Sequence, residues 1–138
     1  MTVVGFNFTK IDVERNESPK GKINISSNIS VKDIVQKDLS LGGEKQSALR
    51  FVFEFISSYE PNVGKILLIG DVLYLGDAKK NKDILDQWKK EKKVAKEIMT
   101  SILNTVLSKC HIQALILSQE VNLPPPIPMP KVSVKTGP

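Results

Sequence analysis

The run Lys65-Ile66-Leu67-Leu68-Ile69-Gly70-Asp71-Val72-Leu73-Tyr74-Leu75 constrains this chain most, because as a strand it is apolar on both faces. Ile66, Leu68, Val72 and Tyr74 point one way, and Leu67, Ile69, Leu73 and Leu75 the other. Such a strand needs cover above and below. Its hairpin partner precedes it: Leu49, Phe51, Phe53 and Phe55 alternate with Arg50, Val52, Glu54 and Ile56, and Glu60-Pro61-Asn62-Val63-Gly64 is the turn. A helical stretch downstream can cover one face. What covers the other is the functional question.

Two further strands are expected upstream. Phe6-Asn7-Phe8-Thr9 starts the first, and the opposite parity of Ile11 and Val13 predicts a bulge or bend near Lys10. Asn16-Glu17-Ser18-Pro19-Lys20-Gly21 is a turn. The second strand keeps Ile23, Ile25, Ser27, Ile29 and Val31 on one parity, with a bend expected near Ser26-Ser27-Asn28. Ile34 and Val35 break the alternation, and the stretch through Leu41-Gly42-Gly43-Glu44 is expected as a flexible connection. The four strands are expected as an antiparallel meander, closed by Gly76-Asp77-Ala78.

Lysine-rich helix follows. Asp83–Trp88 predicts a short helix, with Asp83 and Asp86 as its initiating acids. A long helix then carries Val94, Ala95, Ile98, Met99, Ile102, Leu103, Val106 and Leu107 in an i, i+4 double row. The spacing of Ala114, Leu117 and Val121 favours continuation to about residue 120, the alternative being a break near Ser108–His111. The run Asn122-Leu123-Pro124-Pro125-Pro126-Ile127-Pro128-Met129-Pro130 imposes an extended chain, and its apolar members suggest packing on the protein's own apolar surface rather than display to a proline-reading partner. The reading is a single domain over 1–130 and a polar tail over 131–138. The class is α+β, with both helices packed on the sheet.

At 138 residues the chain can bury a core without disulfides, and its single cysteine, Cys110, fits a reducing compartment. No secretory signal and no membrane-spanning run stand in the sequence, so a cytoplasmic location is expected. Lys+Arg 20 against Asp+Glu 15 gives +5, which raises nucleic-acid binding. Only Arg15 and Arg50 are arginines, however, and lysines mixed with acids more often make a solvated surface.

Catalytic and metal chemistry finds little support. His111 beside Cys110 has no second ligand at metal spacing, and neighbours on a helix diverge by about 100°. Leu41-Gly42-Gly43-Glu44-Lys45 lacks the spacing of a phosphate loop. No enzyme, cofactor or metal is expected.

The order of elements carries more. The strands, a short apolar segment, the long helix and a terminal extended Leu-x-Pro segment resemble the SecB export chaperone family over roughly residues 3–130. Ala95-Lys96-Glu97-Ile98-Met99-Thr100-Ser101-Ile102 is similar to the start of that family's main helix, and Asn122-Leu123-Pro124-Pro125-Pro126-Ile127 to its segment after the helix. Gln36-Lys37-Asp38 resembles a further family element. The resemblance implies an ATP-independent holdase, a dimer of dimers that keeps unfolded polypeptides soluble in apolar grooves. It also implies a second partner for the stripe Ile98, Ile102, Leu103 and Val106 at the oligomer centre. The large apolar residues Phe6, Phe8, Val72, Tyr74 and Trp88 are the client-binding candidates. The chain departs from bacterial members in being basic rather than acidic, which leaves the pathway open between export and protection of one dedicated partner. The alternatives are a small basic nucleic-acid-binding protein and a homo-oligomeric scaffold without a client.

Overall fold

The computed structural model describes residues 2–16 and 21–126; the proline run beyond Pro126 and the polar tail lie outside the described residues, as does the middle of the first turn. Strands β1 (Thr2–Arg15), β2 (Asn24–Leu41), β3 (Glu44–Glu60) and β4 (Gly64–Leu75) form one antiparallel sheet, followed by helices α1 (Ala78–Glu91) and α2 (Lys96–Glu120). The α+β class is as expected. The strand order is β1-β4-β3-β2, so only β2, β3 and β4 run as a meander. The reason lies in β4. A full meander would leave this two-sided apolar strand at an edge with its backbone unpaired, an open template for aggregation. Pairing β1 along it, from Thr2↔Leu75 to Arg15↔Gly64, makes β4 central.

One face of the sheet is the core. Leu49, Phe51, Phe53, Phe55 and Tyr59 of β3 and Ile66, Leu68, Val72 and Tyr74 of β4 are buried on it. Both helices lie on this side, α1 over β2 and β3, and α2 over β4 with its reach extending to β1 and β2. Asn81 of α1 donates from Nδ2 to Ser47 Oγ at 3.1 Å and to the Gly76 carbonyl at 3.4 Å. The ring of His111 on α2 stands edge-on to Phe55 at 5.9 Å.

Three register slips keep the edge strands in phase with this core, the first of them between Val3 and Gly5 in β1. The register of β1 slips between Phe8 and Lys10, so Phe6, Phe8, Ile11 and Val13 all share the parity of the covered face. That is the irregularity expected near Lys10. In β2 the slip falls between Val31 and Asp33, not near Ser26–Asn28, and it turns Ile34 inward opposite Phe51. Residues 34–41, expected as a connection, therefore continue the strand. Gly42 and Gly43 close the hairpin with φ of +62° and +86°, the two positive angles a tight two-residue loop needs.

The short helix is longer than expected, because its cap is Asp77, whose carboxylate accepts from the Lys79 amide at 3.2 Å. Asp83 and Asp86 sit inside it rather than at its start. Helix α2 runs unbroken through Ser108–His111. It ends in a Schellman motif: Asn122 takes φ of +58°, its amide bonds to the Gln119 carbonyl, and the Leu123 amide reaches the Ser118 carbonyl at 2.8 Å. The reversal drives Leu123 into the core beside Gly64. The Tyr59 hydroxyl then donates to the Pro124 carbonyl at 2.6 Å, and Pro126 is buried, so the described part of the proline segment packs on the protein itself.

Candidate binding surfaces

Alternation at Phe6 and Phe8 places both rings on the covered side of β1, where they meet Phe53. Phe6 stacks on Phe53 at 5.2 Å, Phe8 stands edge-on to Phe53 at 6.2 Å, and the two β1 rings are T-shaped at 5.0 Å. Such pairs contribute roughly 0.5–1.5 kcal/mol beyond their burial. Gly70 leaves the space for them, since a Cβ there would run into the Asn7 carbonyl and the Phe53 ring. Phe53 is fully enclosed, whereas Phe6 and Phe8 are half-buried and form an aromatic ledge at a free sheet edge.

The other client-binding candidates are placed differently. Val72 lies beneath Phe6 with no exposed surface, Tyr74 is 4% exposed against Phe51, and Trp88 is 6% exposed on the inner side of α1. Burial also holds the Tyr74 phenol above its ordinary pKa. The structure thus brings Phe6, Phe8 and Val72 together and sets Tyr74 and Trp88 in the packing beneath α1 and the sheet. Trp88 carries the Lys92 ammonium 5.2 Å from its ring centre.

On α2, Ile102 and Val106 are buried against the sheet, while Ile98 and Leu103 are half-buried. The exposed apolar pair of this helix is Ile112 and Ile116, at 61% and 48%. Their i, i+4 spacing was a usable signal, hidden because the whole helix is apolar around much of its girth. The burial of Cys110 pushes its thiol up to about 12, which makes it a packing residue rather than a nucleophile.

Among the described residues no helix lies on the second face of the sheet. Leu67, Ile69 and Leu73 of β4 and Val52 and Ile56 of β3 lie there half-buried. Gly5, opposite Leu73 on β1, lets that side chain spread across the neighbouring strand. In the midst of this stripe Asp71, only 8% exposed, faces Arg50 at 3.7 Å.

The lysines of α1 do not form one positive stripe. Lys79 stands four residues from Asp83 and Asp86 four from Lys90, spacings that alternate charge along an exposed face. Among the described residues no group of three His, Cys, Asp or Glu side chains could hold a metal ion, and no helix is long and apolar enough to cross a membrane.

No family model matches the sequence, and a search of curated proteins finds no match. The fold does match a solved one. The SecB-like chaperone Rv1957 of Mycobacterium tuberculosis, in complex with a ChAD peptide from the Rv1956 HigA1 antitoxin, superposes with a TM-score of 0.57 over 98% of this chain and 92% of that one, at 8% identity. The chain has a SecB-like α+β fold.

Proposed function

We propose that this chain is an ATP-independent holdase, a single SecB-like domain over 1–130 that binds unfolded polypeptide in the cytoplasm and assembles as a dimer of dimers. The carrying observation is a fold shared along almost the whole chain with a chaperone captured on a peptide. The half-exposed ledge of Phe6 and Phe8 supports it at the level of residues, since a binder of many sequences needs apolar and aromatic area flanked by charge. Phe6 and Phe8 are the direct contacts, backed by Phe53 and Val72, while Tyr74 and Trp88 stay in the packing beneath α1. Ile98 forms the subunit contact together with Ile112 and Ile116 on the same side of α2, with Ile102, Leu103 and Val106 packed behind it. We favour polypeptide over nucleic acid as the partner, since Asp83 and Asp86 stand one helical turn from Lys79 and Lys90 on α1.

The test is light scattering from a chemically unfolded client diluted into buffer. Wild-type protein is expected to suppress its aggregation at near-stoichiometric ratio. Phe6→Ser with Phe8→Ser should lose most of that suppression while keeping the wild-type circular dichroism. Aggregation unchanged by excess wild type removes the reading. A single antitoxin-like client, protected where general clients are not, is the dedicated form of the same activity.

A further inference from the structure

The open face of the sheet carries an apolar stripe and two charges that the chain itself leaves short of partners. Leu67, Ile69, Leu73 and Leu75 of β4 and Val52 and Ile56 of β3 are half-buried there. Val35 of β2, opposite Arg50, is 43% exposed. Arg50 Nε is buried with no hydrogen-bond partner, since Asp71 Oδ2 at 3.7 Å is too distant for one. The Arg50 side chain is nevertheless 43% exposed, so its outer end reaches solvent. Glu54, on the same face of β3, is half-buried, and its carboxylate has no ion-pair or hydrogen-bond partner among the described residues.

The chemistry of this face selects its occupant. Strand β4 is paired along both sides, with β1 and with β3, so the face offers side chains and no backbone groups. An unfolded segment laid across it would bury its own N–H and C=O groups without partners. A layer whose backbone is already paired has no such cost, and sheets stack face to face at about 10 Å. With four strands, and 12 residues in β4, the face measures roughly 40 by 19 Å, about 750 Å². That is close to the ~800 Å² each partner contributes to a standard interface.

The levels across β4 and β3 run Leu67–Ile56, Ile69–Glu54, Asp71–Val52, Leu73–Arg50 and Leu75–Ala48, with Asp71–Val52 in the middle. A twofold axis laid across the strands at that level exchanges the levels on either side of it. Leu73 then meets Ile69 of the second copy, Arg50 meets Glu54, and each contact occurs twice. Leu67 and Leu75 extend the apolar seam at its ends, and each Asp71 near the axis keeps its own Arg50. We propose that the open face is a contact between two copies of this chain, sheet packed on sheet about an axis at the Asp71–Val52 level. The match is of area, apolar seam and exchanged charge together. It goes beyond the holdase reading and does not rest on it. Where both hold, this contact and the one on α2 are the two different twofold contacts that a dimer of dimers needs.

Static light scattering on the full chain tests it with Glu54→Lys, which sets like charges across the axis. The expected result is half the wild-type mass, from four chains to two or from two to one, with circular dichroism unchanged. Ile69→Ser replaces Glu54→Lys if the spectrum changes. A second measurement uses Val52→Cys in a Cys110→Ala background with a short bifunctional maleimide. A thiol at the axis should give a product of twice the chain mass, at least fivefold more of it than Lys82→Cys on the exposed side of α1. A wild-type monomer overturns the proposal, and so does a mass unchanged by both Glu54→Lys and Ile69→Ser. Equal double-mass product from the two cysteine positions also overturns it, and the face is then covered by the chain's own tail or by a different protein. Client aggregation is measured apart from these, so a failed holdase assay leaves the contact standing.

Discussion

Gly70 shows how much a single absent side chain decides here. A Cβ at this position meets the Asn7 backbone and the Phe53 ring, neither of which can swing away. Gly70→Ala should therefore destabilise the fold by about 1–3 kcal/mol or more, read from urea midpoints. At Gly5 the nearest atom is the Leu73 side-chain terminus at 3.2 Å, which can yield, so Gly5→Ala should cost less than about 1 kcal/mol. Titration supplies a second residue-level test. Burial raises Cys110 from 9.0 to about 12 and Tyr59 from 10.0 to about 12. Between its unfolded and folded values each group keeps its proton only when folded, so stability falls as pH rises, by about 1.4 kcal/mol per pH unit for each. Urea midpoints should hold below pH 9 and drop from there to pH 11. Cys110→Ala should remove the part of the drop that begins near pH 9, and Tyr59→Phe the part that begins near pH 10.

The edge strands owe their phase to three inserted residues, two in β1 and one in β2. Because Lys32 is the extra residue of its bulge, deleting it leaves Val31 inward, Asp33 outward and Ile34 inward. That deletion should be tolerated, with a change in melting temperature of a few degrees. Deleting Ser30 instead turns Val31 outward and Lys32 toward the core, and should unfold the protein or lower its melting temperature by more than about 10 °C. These phases also show what the residues could reveal in advance. The β3–β4 hairpin, the bulge near Lys10 and the long helix were legible, because each is written in a local period. The continuation of β2 through Ile34 was not, since a bulge mid-strand looks the same as the end of a strand. Nor was the β1–β4 pairing, for parity states which face a residue takes and not which strand lies beside it. The two-sided β4 did hold that information: such a strand belongs in the middle of a sheet. In the candidate site, size and alternation single out Phe6 and Phe8, which are half-buried, and equally Val72, Tyr74 and Trp88, which are buried.

For the whole molecule, the apolar pair Ile112 and Ile116 lies outside the monomer's packing, and the proposed assembly gives it a partner. Static light scattering should return four times 15.3 kDa, and Ile112→Lys with Ile116→Lys should lower that mass without loss of helix. A wild-type monomer across a dilution series would remove the assembly. The strand order has a consequence in time as well. Strands β2, β3 and β4 can zip through two short turns as they are made, but β1 must wait for β4, its Arg15 end for Gly64 and its Phe8 and Phe6 for Gly70 and Val72. It is the first strand synthesised and the last to be seated. Throughout that interval Phe6 and Phe8 belong to an extended, apolar, unfinished polypeptide, the very material the completed fold is proposed to hold. Each new copy would thus be among the earliest clients of the copies made before it.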